Sequence, residues 1–93
     1  MTKYYKEVYK NGSLDTRNEI DQNEYLSLVH DIGLTAVGGE VGFMCDDSVT
    51  IKKDGIVYTH YIVDTVKRYR KVMAIYEEST EKIVCKIYSE LFK

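Results

Sequence analysis

Ninety-three residues with a net charge of -2, 44% hydrophobic side chains, nine tyrosines, no tryptophan and no proline describe one small domain spanning 1–93. A chain of this size buries roughly 60–65% of the surface its unfolded form exposes, which leaves little room for a deep pocket walled on every side. The composition argues against whole-chain disorder and general nucleic-acid binding, and no apolar run approaches the roughly eighteen residues that would span a membrane.

Residues 3–10 alternate tyrosine and valine with charge, and Asn11-Gly12 follows, a strong hairpin signal. The returning strand is expected at about 14–19. Asp21 with Glu24 three residues later has capping-box logic, and Tyr25, Leu28, Val29 and Ile32 recur at helical spacing, with Leu26 widening the stripe. Those signals predict a helix over 22–32, stopped by Gly33. Four of the six glycines then fall in 33–42, which reads as a loop or a bulged strand start. Val41–Cys45, Ser48–Lys53 and Ile56–Val63 read as an antiparallel meander with Asp54-Gly55 as a second hairpin turn. In the last thirty residues Val66, Tyr69, Val72, Met73 and Tyr76 share a helical face, and Ile83, Val84, Ile87, Tyr88 and Leu91 continue it. Asp64 and Ser79 would cap the two pieces. A helix is expected over 80–92; for 65–77 helix is favoured, with the β-branched residues leaving a strand over 68–76 open. The predicted class is α+β: a small antiparallel sheet, hairpin plus meander, against one short helix and a C-terminal helical segment.

Charge is sorted along the chain. No lysine or arginine lies between Arg17 and Lys52, a stretch holding Glu19, Asp21, Glu24, Asp31, Glu40, Asp46 and Asp47, whereas Lys67, Arg68, Tyr69, Arg70 and Lys71 pack four cations into five residues. A cluster of that sign at a helix N-terminus opposes the macrodipole, at a cost of order 1 kcal/mol that something must offset. The cluster could pair with the acids of 19–47, contact phosphates with Tyr69 stacking on a base, or meet an acidic protein, including a second copy of this chain.

The chain presents no catalytic signature. His30, Cys45, His60 and Cys85 are spaced by fifteen, fifteen and twenty-five residues, unlike zinc ligands, which pair two to five apart. No metal or cofactor is expected. The two cysteines, with no apolar leader at the N-terminus, read as reduced, inert thiols of a soluble, cytoplasmic protein. Val37-Gly38-Gly39-Glu40-Val41-Gly42 lacks the lysine and spacing of a phosphate loop and carries an acid instead. Asp46-Asp47 and Glu77-Glu78 are adjacent pairs, which a strand would point to opposite faces rather than join as an acid/base dyad. Tyrosine is a good interface residue.

A short, tyrosine-rich, proline-free chain, with hairpins around Asn11-Gly12 and Asp54-Gly55 and no catalytic motif, resembles small phage and prophage proteins of low-GC Gram-positive bacteria, including the type II anti-CRISPR proteins. Ser48–Tyr58, running on to Ile62–Thr65, is similar in style to a hairpin of one such inhibitor. The resemblance covers under a fifth of the chain, carries no defined motif and transfers no site residue. It implies a non-enzymatic inhibitor that binds a nuclease effector in the host cytoplasm by acidic and aromatic contacts. A net charge of -2 is weak for a nucleic-acid mimic.

The sequence therefore leads to a protein-binding inhibitor or adaptor that works by occlusion. Glu40, Asp46 and Asp47 are its expected contact, with Tyr58 and Tyr61 nearby; those two tyrosines lie on opposite faces of their strand, so at most one belongs to that surface. The alternative is a nucleic-acid-binding regulator using Lys67, Arg68, Tyr69, Arg70 and Lys71.

Overall fold

A computed structural model describes the whole chain, Met1–Lys93. Its elements run β1 (Thr2–Lys10), β2 (Ser13–Ile20), α1 (Gln22–Ala36), β3 (Glu40–Cys45), β4 (Ser48–Lys53), β5 (Ile56–Asp64), β6 (Arg68–Glu77) and β7 (Ile83–Phe92). The strands form one antiparallel sheet in the order β2-β1-β7-β6-β5-β4-β3. β2 and β3 are therefore its edges, and the C-terminal β6 and β7 lie near its middle.

Turn chemistry accounts for the hairpins. Asn11 and Gly12 have φ of 52° and 80°, and Asp54 and Gly55 of 50° and 79°. Positive φ at both central residues gives the turn whose twist matches the flanking strands. The β3–β4 turn at Asp46-Asp47 has no positive φ, so it lacks that match. Asp21 caps α1 by accepting the Glu24 backbone N–H at 2.8 Å, as the spacing predicts. The helix runs through Gly33 rather than ending there and stops at Ala36, ahead of Gly38 at φ +84°. Gly39 is fixed by space: a Cβ there would lie 2.6 Å from Ile51 Cγ2 and 2.8 Å from the Lys52 carbonyl oxygen. The chain leaves the helix pressed against β4 and enters β3.

The N-terminal hairpin, α1 and the 41–63 meander agree with the sequence reading. The C-terminal helical segment does not: 68–77 and 83–92 are strands, and neither Asp64 nor Ser79 caps a helix. Two physical reasons stand out. A central strand buries side chains on both faces, so its apolar run loses the alternation that marks a half-exposed strand and mimics a helical stripe. A strand also removes the electrostatic cost of the basic cluster. In β6 the side chains of Arg68 and Arg70 go to one face and those of Tyr69 and Lys71 to the other, while Lys67 lies in the turn before it.

α1 lies against one face only, where Tyr25 stacks on Tyr4 with ring centroids 4.8 Å apart. Ile87, 2% exposed, is the largest fully buried side chain. The opposite face has no covering layer, yet Ala74 on it is 0% exposed and Val72 is 4% exposed, so their neighbours on that face close over them.

Candidate functional site: a self-paired face and an unpaired edge

The uncovered face is built where β2, β1, β7, β6 and β5 bring alternate residues into register. Tyr5 sits opposite Tyr88, Glu7 opposite Lys86, Arg70 opposite Glu90 and Tyr61 opposite Val72. Two acids are buried there, Glu7 and Glu90, the latter 3% exposed. Each is fully engaged. Glu7 accepts the Tyr9 hydroxyl at 2.7 Å and the Tyr88 hydroxyl at 3.5 Å and lies 3.7 Å from Arg17 Nε. Arg17 Nε also donates to the Tyr88 hydroxyl at 3.1 Å, and its guanidinium covers the Tyr5 ring at 4.5 Å. Glu90 accepts Arg70 Nε directly and has Arg68 at 3.8 Å. Arg70 lies 5.6 Å over the Tyr88 ring and Arg68 5.8 Å over Phe92. No buried side-chain nitrogen or oxygen on the molecule lacks a hydrogen-bond partner. Such a network satisfies itself, and leaving any one member alone would be costly.

The titration behaviour follows from that packing. Burial, reinforced by the hydrogen bond to Glu7, pushes the Tyr9 phenol far above its ordinary value. Burial and the nearby Glu7 charge raise Tyr88, and burial raises Tyr61.

The β3 edge is the opposite case. Its sequence, EVGFMC, holds one charge and no proline. Val41 is 56% exposed, Phe43 58% and Met44 71%. The two edges differ in kind: β2, SLDTRNEI, mixes three charges with polar residues, the usual protection of an edge against unwanted pairing. β3 lacks that charged protection, its only irregularity being the bulge at Gly42, and as an edge it leaves one row of backbone N–H and C=O groups without a strand partner. Val41 and Met44 pair with Ile51 and Val49 on the helix side of the sheet, while Phe43 pairs with Thr50 on the uncovered side. A bulge at Gly42 separates the two. Leu34 and Val37, at the end of α1 and 60% and 65% exposed, extend the apolar surface toward the start of β3.

Charges flank this edge. Glu40 begins β3, and Asp46 and Asp47 form the turn after it. None of the three makes an ion pair. Lys52, across from Glu40 in the ladder, lies along Gly42, within 3.5 Å of where a Cβ there would be, and tempers the charge at that end. Asp46 and Asp47 have no lysine or arginine directly across the ladder; the nearest in register is Lys71, one strand beyond Ile62. The sequence-predicted acidic contact is thus two sites at opposite ends of one strand. Tyr58 is in register with Ile51 on the helix side and lines a cavity of about 350 Å³ under the end of α1. Tyr61 is in register with Ser48, beside the Asp46-Asp47 turn, on the uncovered face. The two tyrosines lie on opposite faces, as their spacing requires.

The basic cluster is also divided. Arg68 and Arg70 pair with Glu90, an acid the sequence reading placed in a helix, and not with the acids of 19–47. Tyr69 and Lys71 line the groove beside α1. Lys67 and Lys71 make no ion pair. Cys45 is an exposed thiol at the end of β3, 3.2 Å from the Ser48 hydroxyl. Hydrogen bonding from Ser48 and from backbone N–H groups lowers its pKa, whereas burial raises that of Cys85. No three histidine, cysteine or acidic side chains come close enough to hold a metal, and no helix is long and apolar enough to cross a membrane.

Sequence reasoning missed Val41, Phe43 and Met44 as an interaction surface and Glu90 as the counter-charge. The edge position depends on the strand order, which residues 68–92 set by inserting two strands between β1 and β5. The i,i+2 spacing of Arg68 and Arg70 was a usable signal for Glu90, because it places both cations on one face of a strand.

Comparison with protein families, with curated proteins and with solved structures finds no match to this chain.

Proposed function

We propose that this protein is a non-enzymatic protein-binding inhibitor or adaptor that docks through the β3 edge and occludes its target. The observation that carries the reading is an apolar edge strand flanked by carboxylates without ion pairs. Covering what remains exposed of Val41, Phe43 and Met44 would contribute about 1 kcal/mol each, and the acids would steer a basic partner toward the edge. Tyr61 is the aromatic neighbour of that surface at its Asp46-Asp47 end. The resemblance to small phage inhibitors adds a class of target, a host defence nuclease or effector, whose nucleic-acid-binding surface is basic. The nucleic-acid-regulator alternative draws less support, since Glu90 engages Arg68 and Arg70.

The test is a tagged pull-down from host-cell lysate with nuclease present. The wild-type chain and Arg68→Gln/Arg70→Gln should retain a stoichiometric protein partner, and Asp46→Lys/Asp47→Lys should lose it. The reverse pattern, or partners that vanish with nuclease, would move the assignment to the basic cluster.

A further inference from the structure

Resting on that protein-binding reading, we infer that the β3 edge takes its partner as an added strand: an extended segment with basic residues at its N-terminal end followed by alternating apolar side chains.

Three observations specify the occupant. The first is the backbone. β3 is a six-residue strand with neighbours on one side only, and an added strand would satisfy its outer N–H and C=O groups. The second is the side-chain pattern. Val41 and Met44 are exposed on one face and Phe43 on the other, so an incoming strand meets apolar neighbours on both faces and gains from apolar residues wherever its side chains fall.

The third is charge, and it sets both the chemistry and the polarity. Every neighbouring pair in this sheet is antiparallel. A strand added in the same sense runs opposite to β3, so its N-terminal end lies beside Asp46 and Asp47. Those acids make no ion pair, and the residue beside Asp47 is Ile62, whose backbone N–H its carbonyl accepts, whereas Glu40 faces Lys52 directly across the ladder. Lysine or arginine is therefore favoured at the N-terminal end of the segment and matters less at the other end.

The same argument disfavours a second copy of this chain. Antiparallel self-pairing about the middle of β3 sets Gly42 against Phe43, Val41 against Met44 and Glu40 against Cys45. It then brings Asp46 and Asp47 of each copy beside Glu40 of the other. β3 carries no cation, and like charges opposed across a ladder destabilise it.

The test uses synthetic peptides with blocked termini and the full chain, with binding read by fluorescence anisotropy. The probe has Lys-Lys ahead of a Val-Thr-Val-Thr-Val-Thr core. A second peptide moves the lysines to the C-terminal end, and a third replaces them with Glu-Glu. Two more carry N-methyl groups on alternate residues, one set for each edge of the peptide. The Lys-Lys-headed peptide should bind at least about tenfold tighter than the Glu-Glu peptide and measurably tighter than the C-terminally charged one. One N-methylated peptide should fail and the other should bind, because an added strand uses one edge only. Asp46→Lys/Asp47→Lys should invert the preference between Lys-Lys and Glu-Glu.

Equal binding of the lysine and glutamate peptides overturns the inference, as does retained binding of both N-methylated peptides. So does the absence of binding by any peptide up to about 1 mM, or a solution dimer that Phe43→Lys dissociates. If the peptides fail while the pull-down still depends on Asp46 and Asp47, strand addition falls and protein binding stands; if both fail, both readings fall.

Discussion

The uncovered face and the β3 edge hold the same kinds of residues, aromatic rings and charges, in opposite conditions. On the face, two buried acids, three arginines and several tyrosines bond to one another, and no external layer is needed to satisfy them. At the edge, three apolar side chains stay more than half exposed and three carboxylates make no ion pair. Charge density alone is thus a poor guide to which charges a fold leaves unpaired. Four cations in five residues make the loudest feature of the sequence, yet two of them are consumed internally, and the quieter six-residue strand is left exposed. Only 8 of 93 residues are buried, so such internal networks carry much of what holds a thin sheet together.

Perturbing each region should separate stability from binding. The largest effect belongs to the face. Arg70→Ala leaves the buried Glu90 with only the more distant Arg68, and should destabilise the fold by about 2–3 kcal/mol in urea unfolding. Its affinity for the Lys-Lys-headed peptide should be unchanged when measured on the folded fraction.

Phe43→Lys should do the reverse. It should weaken the peptide about tenfold or more through lost apolar contact and added repulsion. The side chain is mostly in water already, so unfolding should shift by no more than about 1 kcal/mol.

Alkaline pH should weaken the face through its tyrosines. Tyr9, Tyr61 and Tyr88 have folded pKa values raised above the ordinary 10.0, so the folded state holds their protons after the unfolded chain has released its own. Their contribution is fully present below about pH 10 and is lost as pH climbs from there toward the folded values. Stability followed by circular dichroism should fall over that window, and less steeply in Tyr88→Phe once its own lower starting stability is subtracted.

The smallest contrast is chemical. With its pKa lowered and its thiol in solvent, Cys45 should react with iodoacetamide near neutral pH well before Cys85 does, as peptide mass mapping would show. Prior occupation of the edge by the Lys-Lys-headed peptide should slow Cys45 alone.

Local chemistry made half of the fold legible. Asn11-Gly12 and Asp54-Gly55 announced their turns, and Asp21 with Glu24 announced the helix start. Residues 68–92 were not legible, because central strands with apolar side chains on both faces lose their period-two signature and borrow a helical one. The acids of the candidate site were legible as unusual charges, but their arrangement was not. Whether Glu40, Asp46 and Asp47 flank an edge depends on where β3 falls in the strand order, and the misread C-terminal third sets that order. Gly33 misled in a milder way: glycine is tolerated inside a helix, and the chain needed its conformational freedom at Gly38 instead.

The most direct measurement is amide hydrogen exchange on the chain alone and in complex with the partner captured from lysate. Protection gained at 40–45, with 84–92 unchanged, is the expected result. Protection gained on β6 and β7 with β3 exchanging freely would contradict the assignment of the edge and return attention to the charged face.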